Sequence, residues 1–191
     1  MTAITILNIG METPEERPEQ KIIPVKKKKT WLRAILLLLF FGFIAIQFFQ
    51  PDKNNLDVIA TNDIHQMVAV PDTVDQLLKV ACLDCHSNNT NYPWYTNIQP
   101  VGWWLNNHIE DGKRHFNFNE FVNIPPRNGK TTRERQLKAL EEIKETLEKG
   151  EMPLSSYTII HKDARLTREQ KLMIMNWSDS ARKVLSSLTV K

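Results

Sequence analysis

The chain has few cysteines. Its 191 residues include only two, Cys82 and Cys85, so a structural zinc site with four protein ligands would also need two of the five histidines. A thioredoxin-like dithiol would need strands around a Cys-x-x-Cys motif, and no alternating apolar strand of any length is found. A disulfide across two intervening helical residues is geometrically awkward. These alternatives leave a cofactor that binds two nearby thiols as the favoured interpretation.

An excess of charge is also lacking beyond residue 50. Residues 1–50 contain seven Lys/Arg and four Asp/Glu, and residues 51–191 contain eighteen of each, so the whole net charge of +3 lies before residue 51. A basic flank of this kind does not indicate a basic domain surface, and we expect no nucleic-acid partner.

The one long apolar run explains that flank. No residue from Ala34 to Ile46 is polar, and the apolar stretch reaches from Trp31 to Phe49 if Arg33 and Gln47 are tolerated. A bilayer needs about 20 helical residues, and the preceding lysines favour a cytoplasmic amino-terminal side. The residues after the stretch are bulky, whereas a signal-peptide cleavage site needs small ones. We therefore predict an uncleaved signal anchor, with a cleaved signal peptide or a buried core helix as alternatives.

This anchor sets the expected domain boundaries. We predict a cytoplasmic basic tail over residues 1–30, a single transmembrane helix over 31–49, a tether over 50–70 and an exported domain over 71–191. The apolar periodicity of the exported part predicts helices, since no strand pattern is present. The predicted helices run from Asp72 or Thr73 to Ala81, from about Pro100 to Glu110 with Gly112 at the end, from about Thr132 to Gly150, and from the Thr167 capping box to at least Val184. The fold class is therefore expected to be all-α.

The sequence Cys82-Leu83-Asp84-Cys85-His86 carries the chemistry. Two thiols at this spacing match the two vinyl groups of a haem, and the imidazole that follows is placed to coordinate the iron. We therefore predict one covalently attached c-type haem per chain, with His86 as the proximal ligand. The predicted fold is a small helical domain like that of a c-type cytochrome.

The second axial position has several candidates. Met152 follows a glycine and precedes a proline in a predicted loop, and His/Met ligation suits electron transfer. Methionine is also a common core filler, so Met152 is a hypothesis rather than a pattern match. His108, on the apolar face of the second predicted helix, is the best alternative, and His161 is weaker. Trp94, Tyr95 and Trp104 are predicted walls of the haem pocket, although core packing is their commoner role.

The combined motifs resemble the bacterial haem-binding domain family of single-anchor cytochrome-like proteins. The resemblance extends from the haem motif to Tyr92-Pro93-Trp94-Tyr95, Pro100-Val101-Gly102-Trp103-Trp104 and Gly150-Glu151-Met152-Pro153-Leu154, over roughly residues 55–185. It implies a monohaem c-type domain in which Cys82 and Cys85 form the thioethers and His86 is the proximal ligand. From the signal anchor and its basic flank we expect a single-pass protein of the bacterial inner membrane with its carboxy-terminal domain in the periplasm.

The leading functional hypothesis is a membrane-anchored electron carrier between exported redox proteins. No group in the sequence needs to act as acid, base or nucleophile for that role, so an enzyme is not the favoured interpretation. A peroxidase-like haem enzyme would instead have an open sixth position, with His108 or His161 as a distal acid–base group. A haem-based redox or gas sensor is the third hypothesis, and nothing in the short tail resembles an output domain.

Overall fold

The computed structural model describes residues 30–56 and 58–188. Within this part of the chain every regular element is helical, and the only strand-like pairings are two isolated bridges, Asn55 with Asn89 and Arg127 with Lys130. The α-helices are α1 (Thr30–Ile46), α2 (Asp72–Ala81), α3 (Leu83–His86), α4 (Val101–His115), α5 (Thr132–Lys149), α6 (Ser155–Ile160) and α7 (Arg168–Ser187). The predicted all-α class is confirmed for these residues.

Helix α1 crosses the boundary between two compact units, Met1–Phe40 and Phe41–Lys191. Of the first unit, the structure describes residues 30–40, and none of their side chains is buried. The predicted cytoplasmic tail lies outside the described residues, except for Thr30. The helix predicted over 31–49 ends at Ile46, because Gln47 and Phe48 continue it only as a turn. Among the described helices, none combines the length and apolar character needed to cross a membrane.

The helices α5 and α7 begin and end as the sequence predicts. Thr131 and Glu134 form a reciprocal capping box at the start of α5, and Thr167 and Gln170 form another at the start of α7. Gly150 ends α5 in the left-handed conformation, with φ of 70°, which a residue without a Cβ adopts at little cost. The structure thus confirms the two longest predicted helices of the second unit.

The core of the second unit is built where α2, α5 and α7 meet. Leu78, Leu140, Ile174 and Leu185 are almost completely buried there. Their apolar faces recur at helical spacing, so burial of one stripe on each helix provides the main stabilisation.

The segment predicted as a tether contributes to this core. Ile64 and Val68, which lie within residues 50–70, are buried in the same cluster as Phe121. The indole of Trp177 also donates a hydrogen bond to the carbonyl of Ala69 at 2.9 Å. The packed domain therefore starts well before residue 71, because this segment has apolar side chains that need cover even though it lacks a regular period.

Residues just after α1 are fastened to the start of α4. Gln99 is fully buried. The side-chain Nε2 of Gln47 donates to the backbone carbonyl of Gln99 at 3.2 Å, and the backbone N–H of Gln99 donates to Gln47 Oε1 at 2.9 Å. Gln99 also donates to Gln50 Oε1 at 2.8 Å, and Trp103 Nε1 donates to the carbonyl of Phe49 at 2.7 Å. A set of side-chain bonds thus fixes the chain at this point.

Helix α4 extends past its predicted end. The sequence analysis placed Gly112 at the carboxy-terminal end of the helix, whereas the helix continues to His115 and Gly112 is buried inside it. The short helix α6 was not predicted. In α4 the glycine serves a close contact with Cys85 rather than a helix end.

Candidate functional site

The haem motif forms a helical corner between α2 and α3. The N–H of Cys82 still bonds to Leu78 at 2.8 Å as the last turn of α2, and Cys82 then begins the single turn of α3. The N–H groups of Cys85 and His86 both donate to the carbonyl of Cys82, at 3.2 and 3.0 Å. This turn brings the two thiols and the imidazole into one short, rigid segment.

The imidazole of His86 is held by a backbone carbonyl. Its Nδ1 lies 2.9 Å from the oxygen of Phe116, directly after the end of α4. Burial lowers the pKa of His86, although the carbonyls of Phe116 and Gly112 favour the protonated form. The neutral tautomer with its hydrogen on Nδ1 leaves the lone pair on Nε2, which is the state that coordinates a metal.

Cys82 and Cys85 are free thiols rather than a disulfide. Burial raises the pKa of Cys82 to about 12, and burial followed by the nearby Asp84 carboxylate raises that of Cys85 to about 11. Cys82 packs against the apolar core. Both thiols are therefore held in their neutral form in this structure.

Gly112 allows α4 to approach the motif closely. A Cβ built on Gly112 would lie 2.6 Å from the carbonyl oxygen of Cys85. Real Cβ atoms do not come so close to backbone, so only glycine permits this crossing of α3 and α4. The contact positions Phe116, one turn further along, to hold His86.

Side-chain amides fix the loop that follows the motif. The buried Asn54 donates to the carbonyl of Ser87 and to Thr90 Oγ1, both at 2.9 Å, and accepts from Lys113 at 2.6 Å. Thr90 in turn donates to the carbonyl of Asp84 at 2.6 Å.

A second amide cluster lies on the other side of this loop. Asn88 donates to Glu120 at 2.9 Å and accepts from the Asn117 amide at 2.7 Å, while its backbone N–H donates to Asn119 at 2.8 Å. Each buried polar group here has a partner, and no buried side-chain nitrogen or oxygen in the described residues lacks one. The loop is therefore well ordered despite its polar composition.

A largely apolar pocket adjoins the motif. Several of the residues predicted to bind the cofactor line it: Cys85, Tyr95, Trp104, His108 and His161. Cys82 and His86 do not line it, and neither do Trp94 and Met152. Trp94 is exposed and meets Tyr95 edge-on, with ring centroids 6.0 Å apart. Met152 is half-buried, and its N–H donates to the carbonyl of Thr146 at 3.3 Å.

Three aromatic rings connect the motif to the far wall of this pocket. Tyr157 donates to the Asp84 carboxylate at 2.7 Å and stacks on His161 with ring centroids 4.2 Å apart. His161 Nε2 lies 3.1 Å from the hydroxyl of Tyr95. Burial, followed by the hydrogen bond to Asp84, raises the pKa of Tyr157, so the phenol stays neutral. Asp84 and Tyr157 both belong to the motifs that carry the family resemblance, but sequence analysis did not foresee their hydrogen bond, since pairing across more than seventy residues has no local signal.

His108 is oriented differently from His161. Its Nδ1 lies 2.8 Å from the carbonyl of Trp104, one turn earlier in α4, and its ring lies against the indole of Trp104. The tautomer that donates from Nδ1 leaves a lone pair on Nε2, as in His86. The Nε2 atom of His161 instead faces a phenol.

The donor set fits a haem better than a bare metal ion. Two neighbouring thiols, an imidazole fixed through Nδ1 and an adjoining apolar pocket are what thioether attachment and iron coordination require. The described residues contain no group of three or more His, Cys, Asp or Glu that would hold a metal ion by itself. The zinc alternative therefore has no support in this part of the chain.

Comparison with known proteins agrees with this fit. The family model of a haem-binding domain matches residues 41–180, which is most of the chain. No curated protein matches, and no solved structure matches.

Proposed function

Because the chain belongs to the haem-binding domain family, we propose that it carries one c-type haem on Cys82, Cys85 and His86 and transfers single electrons. Haem binding follows from the family, and the covalent attachment and the electron transfer are the proposal. The haem, when bound, supplies the one-electron redox change of its iron.

The hydrogen bond from His86 Nδ1 to the carbonyl of Phe116 is the observation that carries this proposal. It fixes the tautomer and the orientation of the imidazole before any metal binds, which increases the basicity of Nε2 as a ligand. Gly112 lets α4 approach the motif closely, and hydrogen bonds from the side-chain amide of Asn54 hold the loop that follows His86. Cys82 and Cys85 would each add sulfur to one carbon of a vinyl group and the thiol hydrogen to the other, so no oxidant is consumed.

The lining of the adjoining pocket also supports haem binding at this place. It is mainly apolar, with Trp104, Leu105 and Ile109 among its residues, and such a surface would suit the largely apolar face of a haem.

The sixth ligand is proposed on two grounds that point to different residues. Iron chemistry favours Met152, whose thioether would raise the reduction potential. The pocket favours His108, which lines it and has its Nδ1 bonded to a carbonyl. If Met152 is the sixth ligand, Met152→Ala should abolish the low-spin spectrum and His108→Ala should leave it unchanged. If His108 is the ligand, the two results should be reversed.

Visible spectroscopy of the purified full chain tests the proposal. We expect a haem that stays with the protein after denaturation and acid–acetone extraction, and a sharp low-spin spectrum on reduction. Cys82→Ala with Cys85→Ala should release the haem on extraction, while the exposed Ser155→Ala serves as the matched control. A haem extracted from the wild type would overturn covalent attachment, and a high-spin iron that binds cyanide readily would overturn the carrier.

The high-spin outcome is the signature of the second candidate, a peroxidase-like enzyme. The specific observation in its favour is the bond between His161 and Tyr95, which orients an imidazole in the pocket wall. His161→Ala would then abolish peroxide turnover and leave haem content unchanged. The membrane anchor, the periplasmic location and exported redox proteins as donor and acceptor stay predictions from the sequence.

A further inference from the structure

A strongly basic cleft lies apart from the haem pocket. It has a volume of about 420 Å³ and is formed by the end of α4, the loop before α5 and the first half of α5. Its cationic lining consists of Arg114, Arg127, Lys130, Arg135 and Lys138, together with His115. Glu142 is the one carboxylate among the lining residues, so five formal positive charges face a single negative one.

Two of these cations are held side by side by a tight turn. The backbones of Arg127 and Lys130 exchange two hydrogen bonds, of 3.1 and 3.0 Å. Asn128 and Gly129 between them both have positive φ, of 53° and 74°, as an Asn-Gly hairpin turn requires. The turn displays both side chains to solvent, and neither forms an ion pair within the described residues.

The remaining cations differ in whether a carboxylate lies close to them. Arg114 is paired with Asp111, and Lys138 lies close to Glu141, Glu142 and Glu145. Arg135 donates to the carbonyl of Pro125 at 2.5 Å and is paired with no carboxylate in the described residues. Arg127, Lys130 and Arg135 therefore form no ion pair within the described residues. Hydrogen bonds from Thr131, and then the charge of Lys130, nevertheless lower the pKa of the nearby Glu134.

The cleft is also close to the proximal side of the haem site. His115 lines the cleft, and the next residue, Phe116, accepts the hydrogen bond from His86. A molecule in the cleft would thus contact the residue next to Phe116, whose carbonyl holds the imidazole proposed to coordinate the iron.

We infer that this cleft is the docking surface for an acidic segment of a redox partner protein. The inference rests on the proposed electron transfer and names the kind of partner that the site receives. Arg114, Arg127 and Lys130 are exposed, Arg135 and Lys138 are half-buried, and none is fully buried. A dedicated small-anion site would instead place a buried cation against its ligand. Such an open cluster suits a brief, salt-sensitive encounter, which complementary charges accelerate more than they tighten.

A charge-reversal pair tests the inference on the haem-loaded full chain. Arg127→Glu with Lys130→Glu changes the cleft, and Arg168→Glu with Lys183→Glu makes the same charge change at exposed residues outside it. The probe is a decapeptide of glutamate, titrated at about 20 mM and about 200 mM salt, with tripolyphosphate as a small-anion comparison. The four native side chains that these variants replace make no hydrogen bond in the described structure, so folding should be unaffected. Circular dichroism checks this.

We expect the glutamate peptide to bind the wild type at low salt and about ten-fold more weakly to the cleft variant, with little change in the control. Equal losses in both variants would overturn the inference, because the attraction would then come from net charge alone. Binding of tripolyphosphate without the peptide would also overturn it, in favour of a small-anion site. The visible spectrum reports the haem separately, so loss of peptide binding is distinguishable from failure of the proposed function.

Discussion

The two ends of the packed unit are stabilised by different interactions. Around the haem motif, the loop after His86 and the residues that contact it are held by side-chain hydrogen bonds, mostly from asparagine. Helices α5 and α7 instead pack through buried aliphatic side chains, and their polar contacts lie mainly at the surface, as in the 2.7 Å pair of Lys144 with Asp179.

This difference separates stability from precision. Apolar packing is non-directional and scales with buried area, so it contributes most of the free energy of folding. Hydrogen bonds contribute less each but demand a defined geometry, and a lost partner leaves a buried group unsatisfied. We therefore expect changes in α5 and α7 to alter stability alone, and changes near the motif to alter the haem spectrum as well.

The largest effect is expected at the helical end. Leu140→Ala removes a side chain that is 1% exposed and should lower the free energy of unfolding by about 2–5 kcal/mol. Urea unfolding measures this loss, and the haem spectrum should remain unchanged. The exposed Leu172→Ala is the control, with an expected change within about 0.5 kcal/mol. An altered spectrum in Leu140→Ala would break the comparison.

The crossing of α3 and α4 should respond in both measurements. Gly112→Ala places a Cβ 2.6 Å from the Cys85 carbonyl, so the helices must separate at a cost of about 1–3 kcal/mol. The shift should also lengthen the bond from His86 to Phe116 and change the visible spectrum. Gly42→Ala, where the added Cβ meets nothing within 4 Å, should leave the spectrum unchanged and favour the helix. Normal stability and spectrum in Gly112→Ala would contradict the close approach.

Removal of Asn88 from the amide cluster should cost less stability than Leu140→Ala. Asn88→Ala leaves the Asn117 amide and one Glu120 oxygen without their partner, which should cost about 1–3 kcal/mol. The spectrum should broaden because the loop after His86 loses its anchor. Asn107→Ala, at an exposed position on α4, is the matched control for stability. An unchanged line width would show that the cluster stabilises the loop without shaping the site.

The smallest effect concerns pH. Burial alone would raise the pKa of Asp63, but hydrogen bonds from His65 and from Asn119 outweigh burial and lower it. A lowered folded-state pKa stabilises the protein above the unfolded value of about 3.9, and this contribution is lost as pH falls through the folded pKa. Unfolding measured between about pH 5 and 3 should therefore show a weaker pH dependence in Asp63→Asn than in the wild type. Identical pH profiles would exclude Asp63 from acid unfolding.

The same comparison explains what the sequence could predict. Helices α5 and α7 carry capping boxes at Thr131 and Thr167, a glycine stop at Gly150 and apolar residues at helical spacing, all of which are local signals. The Cys-x-x-Cys-His motif is likewise confined to five consecutive residues, so it could be singled out from the sequence, and its role in haem attachment stays a prediction. Tertiary hydrogen bonds had no such signal, so the contacts of Asn54, the bond between Asp84 and Tyr157, and the carbonyl of Phe116 were not predicted.

Gly112 shows how a local rule was overridden. Glycine near the end of an apolar helical pattern is typical of a helix stop. Here it lies inside α4, because the helix gains a close contact with Cys85 that no other residue permits. Likewise, Ile64 and Val68 had no regular period, and their burial depends on Phe121, more than fifty residues away.

The bonds between Gln47, Gln50 and Gln99 have a mechanical consequence. They fasten the chain at one end of α4, while the carbonyl that holds His86 follows its other end. With 15 residues at about 1.5 Å each, the helix keeps these points about 22 Å apart. Tension applied before residue 47 would therefore strain the glutamine pairs first and reach the imidazole only through the axis of a rigid rod. The helix would thus act as a rigid spacer between residue 47 and His86.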